Sequence, residues 1–173
     1  ASVAAAVERV AAEGGLDVLV NNAGILGPRM APSEVAPDDL RLVFETNVFG
    51  IVRVTRAFLP HLERSTNPVI VNVSSGMGSL AVTTDPSRFE STLTSLAYPA
   101  SKAAVNMLTT QYAKAFPRMR INAVDPGYTA TDFNDHRGTK SVEQGAEIIV
   151  RMAKLDGSGP TGTFVDENGE VPW

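Results

Sequence analysis

The chain has 173 residues, 43% apolar and 20% charged, with a net charge of −4 and no cysteine. These proportions fit one soluble globular domain, residues 1–173, with a full core, and the acidic balance argues against a nucleic-acid partner. The missing cysteine excludes disulfides, thiol catalysis and thiolate metal sites, and with no apolar run of membrane-spanning length and no signal peptide legible at the start, a cytoplasmic protein with no membrane association is expected.

Residues 2–13 predict a helix. Ser2 is a good N-cap, Val3, Val7 and Val10 recur at helical spacing, and Gly14 and Gly15 stop it. LDVLV, residues 16–20, reads as a short buried strand. A long helical stretch covers residues 36–65, with Asp38 and Asp39 near its start and Pro60 near its end. PVIVNVSS, residues 68–75, is a second buried strand; residues 99–116 form a helix; RINAVDPG, residues 120–127, contains a third strand. Residues 141–157 are helical and TGTFVDE, residues 161–167, supplies a last strand. Short apolar strands alternating with helices indicate an α/β fold with a parallel sheet. The chain opens on a helix, the return limb of a βα unit, so the sequence looks clipped at its start.

In an open α/β sheet, ligands bind beyond the carboxyl ends of the strands. Three strands end in polar or glycine-rich segments: NNAG (residues 21–24), NVSSGMG (residues 72–78) and DPGYTATD (residues 125–132). All three are expected on one edge of the sheet, where they form a ligand site.

Tyr98 and Lys102 are four apart, hence on one helix face. Pro99 suits a first helical turn, where its missing N–H would be unpaired anyway. A lysine ammonium about 4 Å from a phenol is worth roughly 4 kcal/mol at an effective dielectric near 20. That equals about three pKa units, enough to bring a phenol into working range as an acid and base. Ser75 ends a strand, and Asn47 lies inside the long helical stretch with Gly50 after it. Taken singly, Ser75 reads as a turn cap and Asn47 as a polar residue bonding the backbone at a kink.

Together, NNAG, TNVFG, VNVSS, YPASK and NAVDPGYTATD, spread in this order over residues 20–132, resemble the short-chain dehydrogenases/reductases. The resemblance implies a partial Rossmann-like doubly wound parallel sheet, with strands four to seven of the family's fold present. It implies an NAD(P)(H)-dependent oxidoreductase acting on a small-molecule carbonyl or alcohol. Asn47, Ser75, Tyr98 and Lys102 match the family's catalytic tetrad. Tyr98 would be the proton donor or acceptor, and Ser75, the second serine of its motif, would hold the substrate oxygen. Lys102 would depress the tyrosine pKa and bind the nicotinamide ribose, and Asn47 would hold a water linking Lys102 to solvent. Asn22, Ala23 and Gly24 match a cofactor-contacting turn, as do Pro126, Gly127, Thr129 and Thr131; Tyr98 and Lys102 contact the cofactor too. The tail GPTGTFVDENGEVPW and the long spacer between Ser75 and Tyr98 resemble the carbonyl-reductase-like branch, so NADP is the expected cofactor, with NAD the alternative.

The family's glycine-rich phosphate loop and the strands that select NAD or NADP have no match in the sequence. GSGPTG, residues 157–162, fits G-x-G-x-x-G but follows a helix and precedes a strand; a phosphate loop needs the reverse. The alternative function is therefore a non-catalytic fragment, or one part of an assembly whose nucleotide-binding half lies elsewhere. Residues 16–20 would form an exposed edge through which copies associate, giving a homo-oligomer. His61 and His136 have no partners at ligand spacing, so surface or capping roles are expected and no metal is. No G-x-S-x-G supports a hydrolase reading of Ser75.

Overall fold

A computed structural model describes residues 2–173. The helices are α1 (Val3–Ala12), α2 (Pro37–Phe44), α3 (Gly50–Leu62), α4 (Leu80–Thr84), α5 (Ala97–Ala115) and α6 (Val142–Ala153). The strands are β1 (Val18–Asn21), β2 (Val69–Val73), β3 (Arg120–Val124), β4 (Phe164–Asp166) and β5 (Gly169–Glu170), which lie side by side in that order. The first four are parallel, and β5 returns antiparallel beside β4.

Helix ends follow the sequence signals. Ser2 Oγ accepts from Ala5 N–H at 3.2 Å. Gly14 and Gly15 have φ of 105° and 117°, and Gly15 N–H reaches back to Val10 O at 3.0 Å. At α6, Ser141 Oγ accepts from Gln144 N–H at 3.3 Å while Gln144 Oε1 accepts from Ser141 N–H at 2.8 Å, a reciprocal cap.

The sheet is covered on both faces because strand side chains alternate. Ile70 and Ile121 pack with Leu19, Phe58, Leu62 and Ala113 under α1, α3 and α5. Val69, Val71, Val73 and Val124 pack with Ile148 and Met152 of α6 on the other face. That is why β2 reads as an unbroken apolar run, and all five of its residues are buried.

Three expectations need correction. β1 starts at Val18 and is not buried on both faces, since Val20 is 38% exposed; its place at the sheet edge, paired with β2 alone, is the expected one. The long helical stretch is interrupted by a π turn, Glu45–Phe49, in which Gly50 N–H bonds Glu45 O five residues back. The end of the chain carries a hairpin where one strand was expected. Asp166 Oδ1 accepts from the N–H groups of Asn168 (2.7 Å) and Gly169 (3.1 Å), and Gly169 has φ 132°. Asn-Gly was a legible turn signal there.

Candidate active site

The carboxyl ends of β1, β2 and β3 open into one cleft of about 1600 Å³, lined by Asn22, Ala23 and Gly24, by Ser75 and Gly76, and by Asp125, Pro126 and Gly127. Tyr98 and Lys102 reach it from the start of α5, and Thr129 and Thr131 from the segment after β3. Asn47 lies behind the lining, fully buried.

The local backbone explains how α5 presents its residues. Pro99 is the third residue of the helix, where its missing N–H leaves no bond broken. The loop after β2 packs on α5 so closely that a side chain on Gly78 would start 2.6 Å from the carbonyl carbon of Lys102. Asn106, one turn beyond Lys102, accepts from Ser74 Oγ at 2.6 Å and donates to Gly78 O at 3.2 Å. Ser74 thus points into the helix. Ser75 faces the cleft, accepts from Met77 N–H at 3.2 Å, and keeps its own O–H as a donor.

Lys102 is 4% exposed and donates Nζ to Val73 O at 2.7 Å. Burial lowers its pKa from 10.5 to about 8, against the pull of the Asp125 charge. The Tyr98 ring centre is 5.6 Å from Nζ. Burial pushes the phenol up to about 12, while neighbouring Ser75 works in the opposite direction and Asp125 adds to the rise. For the protein alone, desolvation is the largest influence on the phenol, and the Lys102 ammonium, tethered to a strand carbonyl, is not among the groups that shift it.

The π turn carries Asn47 inward. Its Oδ1 accepts from Ile25 N–H at 2.8 Å, and its Nδ2 donates to Ile25 O at 2.9 Å and Ser101 Oγ at 3.0 Å. Asn47 therefore braces the segment after β1 against α5. A side chain on Gly24 would start 3.5 Å from Asn47 Oδ1 and 3.6 Å from Lys102 Nζ, so glycine keeps that gap open.

Thr129 Oγ1 caps the turn at Gly127 O (3.3 Å) and Pro126 O (3.4 Å), and Gly127 has φ 73°. Thr131 begins the short turn Asp132–Asn134. Small side chains and backbone groups line this part of the cleft. GSGPTG is a loop at the other end of the sheet: Pro160 O accepts from Asn122 Nδ2 at 2.9 Å, and Gly162 N–H donates to Ile121 O at 2.8 Å. His136 is exposed beside Asp132 at 2.8 Å, whereas His61 is buried in α3 and paired with Arg64 at 2.8 Å. Among the described residues no cluster of potential metal ligands occurs, and no helix is long and apolar enough to cross a membrane.

Sequence reasoning missed several cleft residues. Phe133 meets the Tyr98 ring edge-on at 5.7 Å, and Phe89 lies 6.4 Å from Tyr128. Arg29, at the cleft, pairs with Asp135 at 2.9 Å. None of these three pairs carries a spacing signal, because the partners are distant in sequence.

A profile of the short chain dehydrogenases matches residues 1–141. A short-chain dehydrogenase of Penicillium roqueforti is 40% identical over 146 residues, covering 81% of this chain and 58% of that protein. C-signal of Myxococcus xanthus is 34% identical over 165 residues, covering 92% of this chain and 94% of that protein. The NADPH-bound carbonyl reductase from chicken fatty liver superposes with a TM-score of 0.82 at 26% identity, covering 99% of this chain and 73% of that one.

Proposed function

The chain belongs to the short-chain dehydrogenase family, and from that premise we propose that it serves hydride transfer between NAD(P)(H) and a small carbonyl or alcohol. The observation that carries this reading is the convergence of Ser75, Tyr98 and Lys102 on one cleft at the carboxyl ends of the strands. When bound, the nicotinamide supplies or accepts the hydride. The chain's own residues do the rest. Ser75 O–H donates to the substrate oxygen. Tyr98, protonated at neutral pH by its raised pKa, gives its proton to that oxygen as negative charge develops. Lys102 keeps two donors beyond Val73 O for a ribose hydroxyl and remains mostly cationic below its pKa of about 8. Asn47 holds Gly24 and Ile25 beside Lys102, and the water that would link Lys102 to solvent is assigned to the space at Gly24, 3.5 Å from Asn47 Oδ1 and 3.6 Å from Lys102 Nζ. Asn22, Ala23 and Gly24, with Pro126, Gly127, Thr129 and Thr131, form the walls for the nicotinamide half. NADP is favoured over NAD by the likeness to the NADPH-bound chicken enzyme.

The test is nicotinamide oxidation with a panel of cyclic and aromatic ketones. In a full-length form that binds the nucleotide, Tyr98→Phe should abolish turnover and leave nucleotide affinity nearly intact, since it deletes a proton and not a shape. Retention of more than about a tenth of kcat, a barrier change below roughly 1.4 kcal/mol, would remove Tyr98 from the role.

A second reading has its own support. C-signal matches this chain over 94% of its own length, so a relative of similar extent bears the name of a signal. A role independent of turnover would survive Tyr98→Phe in a binding or signalling assay, which separates the two.

A further inference from the structure

One buried charge beside the reacting groups has no part in that scheme. Asp125 directly follows β3, is 9% exposed, and lines the cleft. Its Oδ1 accepts from Gly127 N–H at 2.9 Å. Its Oδ2 lies 3.0 Å from the point where a Gly76 side chain would begin, so any side chain there would strike the carboxylate. Gly76 directly follows Ser75, and Gly127 belongs to the turn against which the nicotinamide would rest. One carboxylate therefore touches both loops. Among the described residues, no Lys or Arg forms a salt bridge with it. A carboxylate buried with no ion pair is costly, and an amide would supply an acceptor without that cost.

We propose that Asp125 is a positioning residue of this site: its carboxylate holds the Ser75–Gly76 loop against the Pro126–Gly127 turn, and its negative charge keeps the buried Lys102 cationic. The charges around it are unequal. Glu90 and Asp166 repel it and Arg88 attracts it, while Lys102 and Tyr98 feel its field. Burial raises the Asp125 pKa, and the Gly127 and Gly76 amides oppose that rise. Glu90 Oε1 lies 2.9 Å from the same Gly76 point, so it flanks Asp125 across the loop. In the proposed reaction Asp125 acts through Lys102 and Ser75 and touches no reacting atom. This rests on the reading of Lys102 given above.

Nuclear magnetic resonance of the full chain with 13Cε-labelled lysine tests it without turnover. The chain has four lysines, Lys102, Lys114, Lys140 and Lys154, so the signals are few. Lys102 should titrate near 8 in the parent. In Asp125→Asn its midpoint should fall by on the order of one pH unit, the effect of one charge removed at an effective dielectric near 20, while the other three stay in place. Asp125→Ala, which also removes the acceptor, should in addition speed hydrogen exchange at the Gly127 amide. If Asp125→Asn did not fold, Asp125→Ser, smaller and uncharged with an acceptor oxygen, gives the same reading. An unmoved Lys102 midpoint in a folded, uncharged variant would overturn the proposal. That failure would leave hydride transfer standing, and an inactive chain would still report on Asp125.

Discussion

Lys102 Nζ donates to Val73 O at 2.7 Å and stands 5.6 Å from the centre of the Tyr98 ring. The two residues share a helix face, yet the ammonium is committed to the strand and the phenol is left to its own desolvation.

The first prediction follows for the phenol. Its raised pKa keeps Tyr98 protonated through the neutral range, with ionisation only near 12. Ultraviolet difference titration of the parent against Tyr98→Phe isolates its signal from Tyr112 and Tyr128. A Tyr98 signal appearing below its ordinary pKa of 10.0 would contradict burial as the governing effect.

The second prediction concerns stability against pH. Lys102 falls from 10.5 to about 8 on folding, so between those values the unfolded chain binds more protons than the folded one. Stability from this group is therefore lowest below pH 8 and rises as pH increases through that window. Lys102→Met should remove the penalty at pH 7 and stabilise the chain by roughly 1–3 kcal/mol, less whatever the orphaned Val73 carbonyl costs. Urea unfolding at several pH values measures it. Equal stability of both proteins across the window would sink the idea.

A matched pair of glycines supplies the third. A side chain on Gly78 meets the backbone of Lys102 at 2.6 Å and of Ala103 at 2.9 Å, whereas one on Gly157 meets nothing within 4 Å. Gly78→Ala should destabilise by roughly 1–3 kcal/mol and displace the Ser75 loop. Gly157→Ala, inside the false phosphate-loop motif, should change stability by less than about 0.5 kcal/mol. Thermal unfolding of the two variants side by side decides it.

The fourth concerns the edge. β1 pairs on one side only, and its Val20 is 38% exposed. The 173-residue chain should associate through this strand, and Val20→Lys should reduce the association, because a lysine blunts an edge. Size-exclusion chromatography with light scattering gives the masses. A stable monomer at micromolar concentration in the parent would refute the expectation.

The fifth concerns the nucleotide. The proposed walls for the nicotinamide half lie in the cleft, but no strand–glycine-rich turn–helix among the described residues offers N–H groups to a diphosphate. NADPH should bind the 173-residue chain more weakly than micromolar. Titration by nucleotide fluorescence checks this, and tighter binding would mean that another group holds the phosphates.

Local chemistry was legible in the sequence. Ser2, Ser141 with Gln144, and the Gly14–Gly15 stop act over four or five residues, and they appear where the pattern put them. Tyr98 and Lys102 share one face of α5 because helical spacing alone fixes that. The apolar runs of β2 and β3 announced strands covered on both faces, and their polar ends announced the edge of the sheet at which the cleft opens. Tertiary structure decided the rest, through contacts that no window of sequence contains. Asn47 meets Ile25 across 22 positions and Ser101 across 54, and Lys102 meets Val73 across 29. The direction of the Tyr98 shift depends on how much water the fold removes from the phenol, a property of packing. The same holds for Asp125, whose motif suggests a turn and whose burial makes it a charge in the site. Spacing can place two side chains on one face; only the fold sets which of their atoms face each other and in what dielectric.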